Sequence, residues 1–499
     1  MSLTRSSGIL LHPTSLPGPG PIGSLGREAY AFIDFLAETG QSIWQILPLN
    51  PTGYGDSPYS AFSAFAGNPL LISLPELVAW GDLEQSELPP ADPGNPQRVD
   101  FGRAHQEKEG LLRQAAERFR TQASPQRRQA FEEFCTEQGY WLHDYVLFRA
   151  LRERYEDRSW NLWPQDLRHR DAQALEKARQ DLQQDLFWRL YAQFAFFSQW
   201  FALKDYANEQ GVRIFGDIPI FVAFDSVDVW ANQGLFHLDD EGNPTLVAGV
   251  PPDYFSATGQ RWGNPLYRWE RMAAQGYSWW IARFRWNLIQ TDLVRIDHFR
   301  GFEACWAIPA EEKTAINGEW MDGPGDGIFQ ALEQALGEVP IIAEDLGLIT
   351  AEVEALRDRF GFPGMKVLHF AFGDGPDNPY LPHNLERNSV VYTGTHDNNT
   401  TLGWWQELSK KDKDAVRAYL GHGAQDMPWD LNRTAMAAVS NLCILPMQDI
   451  LGLGADGRMN LPGEGTGNWD WRYQEDQLTN SVVQRLKEMT HLYGRATAS

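Results

Sequence analysis

The chain has 499 residues, 43 Lys and Arg against 66 Asp and Glu, and a formal net charge of −23. That balance disfavours nucleic acid and anionic membranes, which need a basic face, and suits a soluble protein acting on neutral ligands. Three widely spaced cysteines (Cys135, Cys305, Cys443) exclude a disulfide framework and point to a reducing cytoplasm. No apolar run reaches the roughly 18 residues of a membrane span, and the first residues lack the apolar core of a signal peptide.

Short β-rich runs alternate with helical patterns, the arrangement of a parallel α/β protein. The first predicted strand covers 8–12 and runs into a Pro/Gly-rich loop at 13–21. A helix with Phe32, Phe35 and Leu36 on one side leads to a second strand at 43–48. Further strands are predicted at 213–218, 293–297, 340–344, 365–370, 389–392 and 442–447. Eight strands are what a closed (β/α)8 TIM barrel needs, so 1–499 is read as one catalytic barrel.

The spacing is uneven. Between the second and third strands, Leu111, Leu112, Ala115, Ala116 and Phe119 follow helical periodicity, as do Phe131, Phe134, Trp141, Leu142, Tyr145 and Phe148. Residues 75–185 are therefore read as a mainly helical insertion, and its aromatic stripes as core. A second insertion, 222–292, carries an irregular segment at 249–265 with Pro251, Pro252, Tyr254, Phe255 and Trp262. A loop of that length in a compact barrel is usually functional. It is predicted to cover a cleft, offer an aromatic platform and limit water access. The 20 Trp, 16 Tyr and 27 Phe mostly serve packing, but Trp and Tyr also suit the weakly polar faces of sugar rings.

Catalytic residues of such barrels sit at the C-terminal ends of strands. The run DLVRIDHFRG ends a strand at Asp297, and period two puts Arg295 on the same face. A cation so close favours an ionised carboxylate, as a nucleophile requires. The run VPIIAEDLG ends at Glu344, where an apolar edge desolvates the carboxyl and suits it to general acid work. Its neighbour Asp345 is predicted to cap the next helix. Asp397, beside His396, follows a strand and a glycine-containing loop, and the strand RIFGDIPIFV adds Asp217 at a comparable place. Carboxylates on separate strand ends converge on one cleft. A retaining glycosidase needs two of them roughly 5–5.5 Å apart, and a third anion can oppose an oxocarbenium-like transition state.

With these residues in hand, the sequence resembles the amylomaltase or disproportionating-enzyme family, the 4-α-glucanotransferases, and more distantly the α-amylase clan. The resemblance runs from GILLHPTSLPG at Gly8 to PGEGTGNWDWR at Pro462. Between them lie LPLNPTGYGDSPYSAFSAFAGNP, GDIPIFVAFDSVDVW and GVPPDYFSATGQRWGNPLY. It implies Asp297 as nucleophile, Glu344 as acid/base and Asp397 as stabilising carboxylate. It also implies that Asp217, Arg295, His298 and His396 surround the sugar at the cleavage site and that Tyr59 stacks on it. Ser57, Gln260 and Asn468 would contact neighbouring sugars, and Tyr54 would belong to a second glucan surface. The match is to the family's short form, without the separate C-terminal β domain of α-amylases.

The expected activity is transfer of α-1,4-glucan segments to the 4-hydroxyl of an acceptor glucan or glucose. The alternative is an α-amylase-like retaining hydrolase, which would use the same carboxylates. A metal-dependent barrel hydrolase would need clustered histidines, and neither H-x-H nor H-E-x-x-H occurs. No cofactor and no metal are expected, and the chain is read as a monomer or small homo-oligomer.

Overall fold

The computed structural model describes residues 3–92, 94–252 and 256–496. Eight parallel strands close a barrel: β1 (Ser6–Leu10), β2 (Ile43–Gln45), β3 (Arg213–Pro219), β6 (Leu293–Asp297), β9 (Ile341–Ala343), β10 (Gly364–Val367), β11 (Ser389–Tyr392) and β12 (Leu442–Pro446). Four more strands, β4 (Leu246–Val250), β5 (Gln260–Pro265), β7 (Ala304–Pro309) and β8 (Glu319–Asp322), form a separate antiparallel sheet in the order β5-β4-β7-β8. Barrel strands are covered on both faces, so they read as continuous apolar runs rather than alternating ones. Ile9, Ile43, Phe215, Val294, Ile342, Val391 and Ile444 are all buried. β1 and β2 approach so closely that a Cβ on Gly8 would lie 2.3 Å from the Ile43 carbonyl oxygen, which is why glycine stands there.

All eight barrel strands overlap the runs that the sequence puts forward; four are shorter, and the first begins two residues earlier. The run at 43–48 pairs only as far as Gln45, and 340–344 only over Ile341–Ala343. The run at 365–370 turns into a 3-10 helix at Leu368–Phe370. Pairing stops at the barrel rim, where the chain leaves its neighbours and side chains face the cleft.

The interval between β2 and β3 is helical. Phe101–Gln122, Pro125–Glu137 and Gly139–Arg154 pack against the long helix Gln183–Glu209. Asp100 and Ser124 cap the first two by accepting the Arg103 and Arg127 backbone N–H groups. The predicted stripes meet in its core: Phe119 lies 5.4 Å from Phe131 and 5.9 Å from Phe194 between ring centroids. The long helix runs through the predicted boundary at 185 without a break, because its apolar stripe continues to Phe201 and into the barrel wall.

The segment 249–265 is less irregular than its prolines suggest. Its two ends are strands: Gly249 pairs with Arg261 and Val250 with Gln260, with a register shift between Val247 and Gly249. Pro251 and Pro252 stop the ladder at the tip, and β7, far away in sequence, backs β4. The predicted platform residues Tyr254 and Phe255 lie outside the described residues. No helix among the described residues is long and apolar enough to cross a membrane.

Candidate active site

Strand register brings the acidic residues together. Asp217 on β3 pairs with Arg295 on β6, and Pro219 with Asp297. On the other side of β6, Ile296 pairs with Ala343. That sets Glu344, the next residue, beside Asp297.

Arg295 joins two of these strands, β3 and β6. Its Nη1 donates to both Asp217 carboxylate oxygens, at 2.8 and 2.7 Å, and its Nη2 donates to Asp297 Oδ1 at 2.7 Å. Burial opposes the guanidinium charge, but Asp217 and Asp297 more than offset it and hold Arg295 protonated. The Tyr59 hydroxyl donates to Asp217 Oδ2 at 2.7 Å. Exposure separates the two aspartates: the Asp217 side chain is 0 % exposed and that of Asp297 31 %. Asp217 therefore faces the groups it holds, Arg295 and Tyr59, while Asp297 is open to a ligand.

Glu344 is anchored by main chain. Its Oε2 accepts the His298 N–H at 2.7 Å and its Oε1 the Leu346 N–H at 3.0 Å. Burial raises its pKa above the ordinary glutamate value; Arg295 opposes the shift and the Asp297 charge adds to it. His298, directly after Asp297, has φ 53, left-handed backbone uncommon outside glycine and often stored at functional sites. Burial pushes His298 down to about 4 and lowers His396 as well, so both imidazoles are neutral near pH 7.

Asp397 is held from the opposite side of the rim. Asn460 Nδ2 donates to its Oδ1 at 2.6 Å, and Arg458 Nη2 donates to its backbone carbonyl at 2.7 Å. His396 Nε2 lies 3.4 Å from Oδ2. Aromatic rings close the wall: Tyr59 stacks on His396 with centroids 5.2 Å apart and planes 10° apart, and Trp469 leans on both. Trp262 meets His298 edge-on at 4.8 Å.

The remaining predicted residues lie around this centre. Ser57 is on the same loop as Tyr59 and accepts the Tyr59 N–H at 3.2 Å. Gln260 Oε1 accepts the Trp262 indole N–H at 3.2 Å. Among the described residues Asn468 bonds only to backbone, of Leu461 and Glu464, and so shapes its own loop. Tyr54 stands apart, 81 % exposed, near Gly465, where a Cβ would lie 3.1 Å from its hydroxyl. Asp345 does not cap a helix: it accepts the Arg357 guanidinium and the Met365 N–H, and Thr350 stands at the N-cap of Ala351–Arg359. Its strand-end position buries it against β10, where a charged partner outweighs a cap. Among the described residues no group of three or more His, Cys, Asp or Glu could hold a metal ion.

Asp297 and Glu344 thus lie on neighbouring strand ends at one rim of the barrel, with Asp397 across from them, and comparison with known proteins decides what kind of site this is. Residues 11–479 match the 4-α-glucanotransferase family. The chain belongs to that family. A 4-α-glucanotransferase from Synechocystis sp. is 54 % identical over 495 residues, 98 % of each chain. One from Thermus thermophilus is 51 % identical over 498 residues, 98 % of this chain and 99 % of its own. The amylomaltase from Streptococcus agalactiae in complex with acarbose superposes with a TM-score of 0.96 at 39 % identity, covering 99 % of this chain and all of that one. This 4-α-glucanotransferase family chain is thus an enzyme, a glycosyl transferase rather than the hydrolase of the alternative reading, on a (β/α)8 barrel.

Sequence reasoning missed Asn460, Arg458 and Trp469. They lie beyond the last strand, in a stretch without periodicity, and Asn460 meets Asp397 across 63 residues.

Proposed function

We propose that the enzyme transfers α-1,4-glucan segments by double displacement, with Asp297 as nucleophile, Glu344 as acid/base and Asp397 as stabilising anion. The observation that carries this reading is the pair of neighbouring strand ends: Glu344 is held by the backbone N–H of the residue that follows Asp297. Glu344, protonated because burial raises it, donates to the leaving glycosidic oxygen while Asp297 attacks the anomeric carbon. The bond made is an ester, so the Asp297 charge that favoured the proton on Glu344 disappears. Arg295, which opposes that proton, remains. Glu344 is thereby left as the base that takes the 4-hydroxyl proton of the incoming glucan. Asp397 faces the developing positive charge, and Arg295 keeps Asp297 oriented for attack.

Tyr59 and Trp262 supply ring faces for the sugars, His298 and His396 neutral hydrogen-bonding groups, and Ser57, Gln260 and Asn468 the neighbouring positions. Tyr54, exposed and apart from the catalytic centre, serves a second glucan surface. The segment 249–265 is assigned the role of covering the cleft, with Tyr254 and Phe255 as the acceptor's aromatic platform and a limit on water access. Three cysteines too widely spaced for a disulfide framework support a cytoplasmic location. Maltotriose tests the function: glucose plus a ladder of longer maltooligosaccharides is the expected product set, and glucose and maltose alone would overturn transfer. Phe255→Ala is expected to raise hydrolysis relative to transfer; an unchanged ratio counts against the cover.

A further inference from the structure

Away from the cleft, a cavity of about 140 Å³ lies between the helical insertion and the root of the loop that carries Tyr59. Pro51 and Thr52 form one wall, and Lys108, Arg149 and Trp188 line the rest. Allowing ~30 Å³ per water-sized group, it holds about five heavy atoms.

The donors there are in excess. Lys108 is 6 % exposed and donates to the Leu70 and Ile72 carbonyls, which leaves one ammonium proton over. Burial pulls its pKa down to about 7, the signature of a cation short of a counter-charge. Arg149 Nη1 and Trp188 Nε1 are buried with no hydrogen-bond partner. Two of the three carboxylates that line the same cavity already accept from other arginines. Glu153 accepts from Arg113 and Arg189, Glu109 accepts from Arg113, and Asp157 lies 3.6 Å from Arg152. Arg149 has no ion pair among the described residues; its guanidinium sits 4.3 Å over the Phe62 ring.

We propose that this cavity binds a tetrahedral oxyanion, either inorganic phosphate or the phosphoryl group of a sugar phosphate. Five heavy atoms fit the volume, and the acceptor oxygens meet the Lys108, Arg149 and Trp188 donors. A buried guanidinium nitrogen without an acceptor, as at Arg149 Nη1, is costly unless an anion reaches it. The Trp188 ring, clamped by the Arg113 and Arg189 guanidinium groups at 4.5 and 4.3 Å from its centroid, lines the cavity with its N–H unpartnered. The ion would stand at the foot of the loop holding Ser57 and Tyr59.

Calorimetric titration of inorganic phosphate, and separately of glucose 1-phosphate, into the full-length protein at pH 7 and constant ionic strength tests the site. Saturable binding of one equivalent is expected. Arg149→Gln should weaken it by about tenfold or more and Trp188→Phe by about fivefold, as expected for a lost charged and a lost neutral donor. Binding by both anions identifies free phosphate as sufficient, and binding by glucose 1-phosphate alone identifies a phosphorylated sugar. No saturable binding of either, or binding untouched by Trp188→Phe, overturns the proposal. Trp188→Phe keeps the clamped ring, so it carries the test even where Arg149→Gln does not fold.

Discussion

Replacing Glu344 by glutamine keeps the side chain's length and removes its transferable proton. One amide half can still accept the His298 or Leu346 N–H, while the other becomes a donor facing a donor. General acid–base assistance is worth roughly 10²–10⁴-fold, or about 3–5 kcal/mol at 1.36 kcal/mol per tenfold. Glu344 acts in both half-reactions, so disproportionation of maltotriose by the variant should fall towards the upper end of that range. With α-maltosyl fluoride the leaving group needs no proton, so the first half-reaction should survive. A covalent glycosyl-enzyme should then accumulate on Asp297, visible by mass spectrometry. Asp297→Asn should form no such adduct. Maltotriose turnover within tenfold of the parent, or an adduct in the Asp297→Asn protein, would refute the assigned roles.

The raised Glu344 pKa sets two pH dependences. Protonation of the leaving oxygen needs the acid form, so kcat/KM should persist above the ordinary carboxylate range and decline as pH rises through the Glu344 value; a profile without that alkaline limb would count against it. In the unfolded chain glutamate ionises near ~4.3, below its folded value, so folding stability is lost as pH rises between the two. The Tm advantage of Glu344→Gln over the parent should therefore grow from pH 4 to pH 7 in thermal melts, and a constant difference would be contrary. Asn460→Ala removes a charge-assisted donor from Asp397 and should lower kcat by about tenfold or more with KM little changed; steady-state kinetics on maltotriose read this directly. Tyr59→Phe loses the bond to Asp217 but keeps the ring, and should cost about tenfold in kcat/KM, with Tyr59→Ala costing clearly more. Equal losses would mean that the ring face contributes nothing.

How far the site was legible depended on how local each signal is. Period two alone placed Arg295 and Asp297 on one face, and the bond between them follows from that spacing. The apolar run before Glu344 announced its burial. What no run of residues announces is register. Arg295 reaches Asp217 because β3 and β6 pair residue 217 with residue 295, and that pairing across 78 positions is a property of barrel closure. Asp345 failed for the same reason: its partners Arg357 and Met365 belong to a neighbouring strand and helix. The segment 249–265 was judged by its prolines, although pairing with a distant strand decides its shape. Asn460 and Arg458 carry no pattern at all and become visible only once the last loop is seen folding back over Asp397.

The left-handed backbone at His298 has an evolutionary corollary. Glu344, the proposed proton donor, takes its orientation from peptide N–H groups, which every residue except proline possesses. Side chains around Glu344 are therefore free to drift without releasing it. The constraint moves instead to a backbone conformation: asparagine or glycine at 298 could inherit the anchor, whereas valine or isoleucine would strain it. Variation in sugar preference is thus channelled into residues such as Trp262, which touches the His298 ring, and away from the peptide bond that aims the acid.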